Sequence, residues 1–299
     1  MRLFLSSLCV CLALFFFVPP KPCAADRLSI QAGTHLVLLG NGLGSRMGRY
    51  GHFETEMHLR YPSSRLFIRN MCDEGNTPAF RPHSARNDPW PFPGAEKYRT
   101  LGQEKDRWGS GHAGRGFYEK PDQWLTRLKA DVIVAFFGFN ESFEGGAGLD
   151  RFKAELADFI NHTRSQKYNG KTAPQLALVS PVAFENLSAT HGTPDGTVEN
   201  TNLSLYTAAM EDVAKRHGVL FLNLFSVTQR WMEQSSELLT RDGALLTEAA
   251  YRRLAPVLAE GLFGKPRAAG EAGQILKAVR EKNWYWQKFY KIPLSLKHI

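Results

Sequence analysis

The sequence predicts an α/β protein with a parallel five-stranded sheet and helices on both faces. Five short apolar runs alternate with segments of helical period, which is the pattern of repeated β-α-β units. The third run, "DVIVAFFG", is apolar nearly throughout, as expected for a strand that is buried on both faces. Once a leader of 25 residues is set aside, the rest of the 299-residue chain suits one large domain better than two.

The elements follow one another along the chain in a regular order. The first strand is "HLVLLG", His35–Gly40, and it runs directly into a glycine-rich turn. We predict the other strands at residues 65–70, 131–138, 175–181 and 219–224. The helical patterns cover residues 45–60, 121–129, 149–166, 197–217, 227–237 and 247–260.

Residues 71–120 interrupt this alternation. Pro, Gly, Arg, His and Trp dominate the segment, and no period is sustained in it. A stretch of this length without regular structure is either a functional insertion or disorder. Its aromatic content favours an ordered flap over the sheet, with Trp90, Trp108 or His112 near the strand ends.

The two ends of the chain differ in composition from the domain at residues 26–265. Residues 1–25 resemble a secretory signal peptide, with Arg2 before an apolar run and small residues around a cut near Ala25. We therefore expect export to a periplasm or to the outside, the alternative being a retained anchor. Residues 266–299 begin as an amphipathic helix and end in an aromatic, basic tail, which is expected to dock on the body or on a partner.

The number of cysteines and the distribution of charge exclude several classes of protein. Cleavage near Ala25 leaves only Cys72, so no internal disulfide can form, and no later segment resembles a membrane span. The formal net charge is +8, and Arg2 and Lys21 of the leader carry two of these charges, leaving +6. Because the basic residues are scattered, they indicate solubility and not a nucleic-acid site. We predict no metal and no cofactor.

The candidate site lies at the carboxyl ends of the strands, where parallel α/β sheets bind their ligands. The first strand ends in Gly40-Asn41-Gly42, and the second is followed by "MCDEGN", which contains Gly75. The third ends in "GFNES" with Asn140. After the fifth strand, Asp242-Gly243 precedes a helix.

This order of motifs resembles the SGNH/GDSL hydrolases, a family of flavodoxin-like, three-layer α/β/α esterases. The resemblance covers most of the chain after the leader, with "GFNES" and the "DGxxL" helix start as its best points. It implies a nucleophilic serine in a G-D-S-L block and an oxyanion hole completed by a glycine and by the asparagine of G-x-N-D. It also implies an aspartate and a histidine in a D-x-x-H block. The segments "QWLTRLKADVIVAFFGFNES" and "HTRSQKYNGKTAP" look like those of a planctomycete-type branch with a degenerate first block.

The match fails at the positions that carry out the chemistry. Gly42 stands at the position of the serine, and Leu245 stands at the position of the histidine. Asn41 replaces the aspartate of the first block, whereas Asp242 and Asn140 fit. Glycine has no nucleophile and leucine accepts no proton, so the resemblance implies a hydrolase-like fold more strongly than a hydrolase.

Each remaining candidate has a functional and a structural interpretation. Asn140 serves an anion or carbonyl site, or it braces its loop, and Asp242 is a triad remnant or a turn residue. Gly40, Gly42 and Gly75 line a ligand site or only permit tight turns. Ser45 is a displaced nucleophile or a helix-terminal serine. His83 and His112 replace the lost base or bind a metal, or they are surface residues.

Three functions follow from these observations. The first is an inactive or ligand-binding homologue that holds a small molecule or a carbohydrate ester without cleaving it. The second is an active hydrolase of acyl or acetyl esters with a rearranged site. The third is a nucleotide-binding module, because "GNGLGS" partly imitates G-x-G-x-x-G, although Ser45 takes the place of its last glycine and Asn70 that of the expected acid. Any protein partner is unknown from the sequence.

Overall fold

The sheet has five parallel strands in the order β2-β1-β3-β4-β5. It is seen in a computed structural model that describes residues 27–82, 88–100, 103, 120–234, 237–267 and 270–291. In the register of the sheet, Leu36 lies opposite Ile68 of β2 and Val132 of β3. The strands are β1 His35–Gly40, β2 Phe67–Asn70, β3 Val132–Phe136, β4 Gln175–Val179 and β5 Leu220–Leu222. The predicted fold class is confirmed.

Helices occupy both faces of this sheet. The described helices are α1 Gly42–Tyr50, α2 His52–Arg60, α3 Pro121–Arg127, α4 Phe139–Ser142, α5 Leu149–Ser165, α6 Ser188–His191, α7 Thr197–His217, α8 Leu224–Gln234, α9 Glu248–Phe263 and α10 Ala272–Tyr285. The last one continues as a π-helical segment, Trp286–Lys291. Short 3₁₀ helices form at Ala95–Tyr98 and Gly145–Gly148.

Two apolar cores lie on opposite sides of the sheet, because successive strand residues point to opposite faces. On one side, β1, β3 and β4 pack against α1, α2 and α9, with residues such as Leu38, Val134 and Met57. On the other side, the alternate residues of the same strands pack against α5 and α7, as Leu39 and Ile133 do. Both faces of the central strands are therefore buried, which explains their unbroken apolar sequences.

Two predicted helices have different bounds in the structure. The pattern at residues 45–60 forms two helices, because Gly51 adopts a left-handed conformation with φ of 75° and ends α1. The helix predicted at residues 227–237 begins earlier, at Leu224. The hydroxyl of the fully buried Ser180 accepts hydrogen bonds from the Leu224 and Phe225 amides, at 2.8 and 3.1 Å, and so caps this helix.

The described part of the 71–120 segment packs on the α5 side of the sheet. Trp90 contacts Phe80 with ring centroids 5.3 Å apart, and Phe92 packs beside His162 of α5. The buried carboxylate of Glu155 on α5 accepts hydrogen bonds from Thr77 Oγ1 and the Ala79 amide, each at 2.7 Å. Trp108, His83 and His112 lie outside the described residues.

The C-terminal helix α10 packs against α1 and α2. The Asn283 side chain donates to the Gly48 carbonyl at 3.0 Å, and the Trp286 indole N–H donates to the Asn70 carbonyl at 2.8 Å. Residues 292–299 and the predicted signal peptide at residues 1–25 lie outside the described part. No helix within that part is long and apolar enough to cross a membrane.

Candidate functional site

The candidate site lies where the order of the strands changes direction. The chain passes from β1 outward to β2 and then returns to β3 on the other side of β1. Ligands of open α/β sheets bind in the crevice that such a reversal leaves at the carboxyl ends of the strands. The turn Gly40-Asn41-Gly42 after β1 and the turn Gly138-Phe139-Asn140 after β3 both lie at this crevice.

The turn after β1 requires a glycine at its first position. Gly40 has φ of 118°, and a Cβ atom there would overlap the Phe136 carbonyl of the neighbouring strand. The next residue, Asn41, is 1% exposed and caps α1, with its side-chain oxygen accepting from the Leu43 amide at 3.3 Å. Asn41 therefore performs a structural task at the position where the family has aspartate.

The structure brings Gly42 and Leu245 together. Gly42 and Leu245 line one small cleft of about 40 Å³, which also includes Phe139, Arg46 and Tyr251. A Cβ atom added at Gly42 would have only the Glu74 side chain near it, at 3.9 Å, so the position has room for a side chain that the protein lacks. Neither Gly42 nor Leu245 supplies a hydroxyl or an imidazole to the cleft.

Asp242 is bonded to its own loop. Its Oδ1 atom accepts from the amides of Ala244 at 3.1 Å and Leu245 at 2.8 Å, and the residue is exposed. This is the geometry of an aspartate turn, in which the side chain satisfies backbone donors. Among the described residues, the structure shows no hydrogen bond to Oδ2.

A buried glutamate holds the loop that carries Asp242. Glu185 accepts from the Leu239 amide at 3.0 Å and from the amide and hydroxyl of Thr240, each at 2.6 Å. The Phe184 ring occupies the space where a Cβ at Gly243 would lie, and Gly243 has φ of 91°. Sequence reasoning did not identify Glu185, because a lone glutamate after β4 gives no signal of these long-range bonds.

The Asn140 side chain is committed to the backbone of the loop after β2. Its Nδ2 atom donates to the Glu74 carbonyl at 2.8 Å and to the Asn76 carbonyl at 2.9 Å. An amide group has two N–H donors, so neither is left for an oxyanion. The Asn76 side chain in turn donates to the Gly40 carbonyl at 3.1 Å, which ties the loop to the end of β1.

Two candidate glycines have free backbone amides, and one of them, Gly42, lines the cleft. Within the described part of the chain, the N–H groups of Gly42 and Gly75 have no hydrogen-bond acceptor. Gly42 is the first residue of α1, and the amides at a helix N-terminus point out of the helix with partial positive charge. The first turn therefore retains the capacity to bind a carbonyl oxygen without any side-chain donor.

Two buried carboxyl groups lie beneath the turn after β3. Glu141 is 5% exposed, and its Oε2 accepts from the Gly138 amide at 2.8 Å. Burial, and to a smaller extent the charge of Glu155, raises the pKa of Glu141 to about 8. Burial also raises the pKa of Glu155 to about 7, against the bonds from Thr77 and Ala79 that lower it. No role for Glu141 follows from the sequence, since "GFNES" does not reveal that its glutamate is buried.

Ser45, the replacement nucleophile that the structure describes, is not at this cleft, and His83 and His112 lie outside the described residues. Ser45 lines a different cleft, on the side of α1 that faces α10. Among the described residues, the hydroxyl–imidazole hydrogen bond that the structure shows joins Thr190 and His191, at 2.7 Å. These are exposed neighbours in the short helix α6, and neither lines the Gly42 cleft. Nor does that part of the chain contain a cluster of three His, Cys, Asp or Glu residues placed to hold a metal ion.

Comparison with known proteins shows similarity at the level of the fold. No family model matches the chain, and no curated protein matches it in sequence. A catalytic mutant of an acetylxylan esterase from Geobacillus stearothermophilus has a TM-score of 0.53 at 14% identity, over 82% of this chain and 100% of the esterase chain.

Two further solved structures agree with this result. A protein described as a GDSL-like lipase, from Parabacteroides merdae, has a TM-score of 0.54 at 10% identity, over 79% of this chain and 98% of its own. An α/β hydrolase from the metagenome of Lake Arreo in Spain has a TM-score of 0.52 at 15% identity, over 78% and 96% of the two chains. The chain therefore has the α/β fold of SGNH hydrolase structures, and a fold alone does not carry an activity.

Proposed function

We propose that this protein is a non-hydrolysing member of the SGNH structural class that binds a small acyl ester, such as an acetylated carbohydrate, without cleaving it. The observation that carries the proposal is the cleft shared by Gly42 and Leu245. The residues at the serine and histidine positions of the resemblance both line it, and neither has a reactive side chain.

The missing groups are those that the reaction needs. Ester hydrolysis on this fold requires a hydroxyl as nucleophile, a base that takes its proton, and donors for the oxyanion. Gly42 supplies no nucleophile and Leu245 supplies no base. The Asn140 amide donates to the Glu74 and Asn76 carbonyls, so it is not available as an oxyanion donor. Loss of such a set lowers the rate by roughly 10⁴ to 10⁶, and the losses overlap because the residues act as a unit.

Binding is supported by what the cleft keeps. The Gly42 amide has no acceptor among the described residues and is a donor suited to an acyl carbonyl, and a volume of about 40 Å³ suits a group no larger than acetyl. The similarity to an acetylxylan esterase supports a carbohydrate as the acylated molecule. Phe139 and Leu245 supply apolar walls for the methyl group of the acetyl.

Turnover assays test the loss of catalysis directly. The purified protein is expected to hydrolyse p-nitrophenyl acetate no faster than buffer and to resist labelling by a fluorophosphonate, with the acetylxylan esterase as the active control. Saturation-transfer NMR is expected to show that acetylated xylo-oligosaccharides bind, and that deacetylated ones do not. Efficient turnover that is abolished by alanine at Ser45, His83 or His112 would instead establish an active esterase with a rearranged site.

The same proposal includes export. Arg2, the apolar run that follows it and the small residues near Ala25 support cleavage by a signal peptidase. Mass spectrometry of the protein recovered from an exporting host is expected to give a chain that begins at about residue 26. Recovery of the intact N-terminus in the membrane fraction would indicate a retained anchor.

A further inference from the structure

A second and larger cleft lies between α1 and the C-terminal helix. It has a volume of about 490 Å³, and its lining includes Arg46, Arg49, Arg280, Glu74, Trp284 and Gln287. Sites for small molecules fall in the range of about 300 to 1,000 Å³. This cleft, which we call the Arg49 cleft, is therefore large enough for a ligand of one to three rings.

The charge of the Arg49 cleft is positive. Arg46 Nε lies 3.4 Å from the Glu74 carboxylate, which partly balances it. Arg280 donates to the Tyr50 carbonyl at 3.0 Å and pairs with Glu248. Arg49 is exposed and has no partner in the described part of the chain, so its guanidinium is available to a ligand. A guanidinium binds carboxylate or sulfate through parallel N–H donors.

The walls of the Arg49 cleft combine indole surface with neutral polar groups. Trp284 is 52% exposed although it is a large apolar side chain, and Trp286 is held in place by its bond to the Asn70 carbonyl. Ser45 and Gln287 also line the cleft, and the structure shows no hydrogen bond from either side chain to described residues. Indole faces accept the C–H face of a pyranose, while hydroxyl and amide groups match its many hydroxyls.

We propose that the Arg49 cleft binds an acidic saccharide, whose carboxylate or sulfate pairs with Arg49 and whose ring packs against Trp284. The anion accounts for the unpaired guanidinium, and the sugar ring accounts for the exposed indole and the neutral donors around it. The two clefts share Arg46, but Arg49 and Trp284 do not line the Gly42 cleft, so the proposal does not depend on whether the protein hydrolyses esters.

Calorimetry on the full-length mature protein tests the proposal. The probes are trigalacturonate, a sulfated disaccharide, neutral xylotriose and AMP, each at low and at moderate salt. We expect one or both acidic saccharides to bind and to lose several-fold in affinity as salt rises, because the interaction of exposed charges is screened. Xylotriose and AMP are expected to bind at least tenfold more weakly.

Variants locate the site. Arg49→Ala is expected to lower the affinity for acidic saccharides about tenfold or more, as the loss of a charge-assisted hydrogen bond does. The matched control is Arg65→Ala, which removes another exposed arginine before β2, at the opposite end of the sheet. Trp284→Phe should retain part of the affinity that Trp284→Ala loses. Absence of binding by both acids, equal binding of xylotriose, tighter binding of AMP or equal effects of the two arginine variants would each overturn the proposal.

Discussion

Replacing Glu141 by glutamine measures how much unfolding free energy a buried acid removes at the candidate site when it ionises. Glu141 supports the turn after β3 by accepting from the Gly138 amide, and it is 5% exposed. The groups that face it are Glu155 and Glu144, whose charges both raise its pKa. Burial is the larger cause, and the pKa rises from 4.5 to about 8.

The direction of the pH effect follows from this shift. Because the pKa is higher in the folded chain than in the unfolded chain, the folded state holds an extra proton between the two values. The unfolding free energy therefore falls as the pH rises from about 5 to about 8. At about 1.4 kcal/mol for each pKa unit, Glu141 contributes a loss on the order of 3 kcal/mol over this range.

Urea unfolding at pH 5 and pH 8 provides the measurement. Glutamine resembles the protonated acid and keeps an oxygen for the Gly138 amide, so Glu141→Gln is expected to remove most of that loss. Glu211→Gln, an exposed change on α7, should leave the pH dependence as in the unmodified protein. If Glu141→Gln shows the same fall in stability between the two pH values as the unmodified protein, Glu141 is ionised in the fold and the reasoning is refuted.

Three further changes test the site. Gly42→Ser combined with Leu245→His is expected to give weak turnover of p-nitrophenyl acetate and fluorophosphonate labelling, whereas either change alone gives neither; activity in a single variant would contradict this account. Gly40→Ala is expected to lower the unfolding free energy by more than about 3 kcal/mol, because the added Cβ would overlap the Phe136 carbonyl. In the control Gly146→Ala, the added Cβ meets nothing within 4 Å, and the loss should be about 1 kcal/mol or less. Glu185→Gln disturbs three buried hydrogen bonds and should lower the unfolding free energy, measured by chemical denaturation, by about 2 to 4 kcal/mol. The control Glu211→Gln should leave the unfolding free energy unchanged.

The sheet was predictable because its signals are local and repeated. Each strand is a short apolar run after a helical segment, and the parallel arrangement follows from that alternation. The bounds were less predictable where a distant residue sets them. Leu224 begins α8 because Ser180, 44 positions earlier, caps it, and a window along the sequence does not contain that contact.

The candidate site was predictable in its positions and not in its bonds. The motif order placed Gly42 and Leu245 at one edge, and the structure shows them lining one cleft. The Asn140 side-chain amide donates to the Glu74 and Asn76 carbonyls, and these bonds depend on the path of the loop after β2. That path has no periodic signal, and the same holds for the contacts of Glu185 and Glu141.

Two of the positions that depart from the motifs, Gly42 and Leu245, differ from the matching positions in one physical respect. Gly40, Asn140 and Asp242 each have a structural task that another residue would not perform equally. Gly40 adopts a positive φ against the neighbouring strand. The Asn140 side chain donates to two backbone carbonyls, and the Asp242 side chain accepts from two backbone amides. Gly42 and Leu245 only face the cleft. The fold therefore accounts for the matching residues without any catalytic requirement, and the resemblance of "GFNES" and "DGxxL" to hydrolase motifs is not itself evidence of hydrolysis. A Cβ atom added at Gly42 would meet no backbone of another element within 4 Å, so the space around this atom does not force the loss of the serine. Restoring the pair at Gly42 and Leu245 is for this reason a test of chemistry alone, since the surrounding turn should remain as it is.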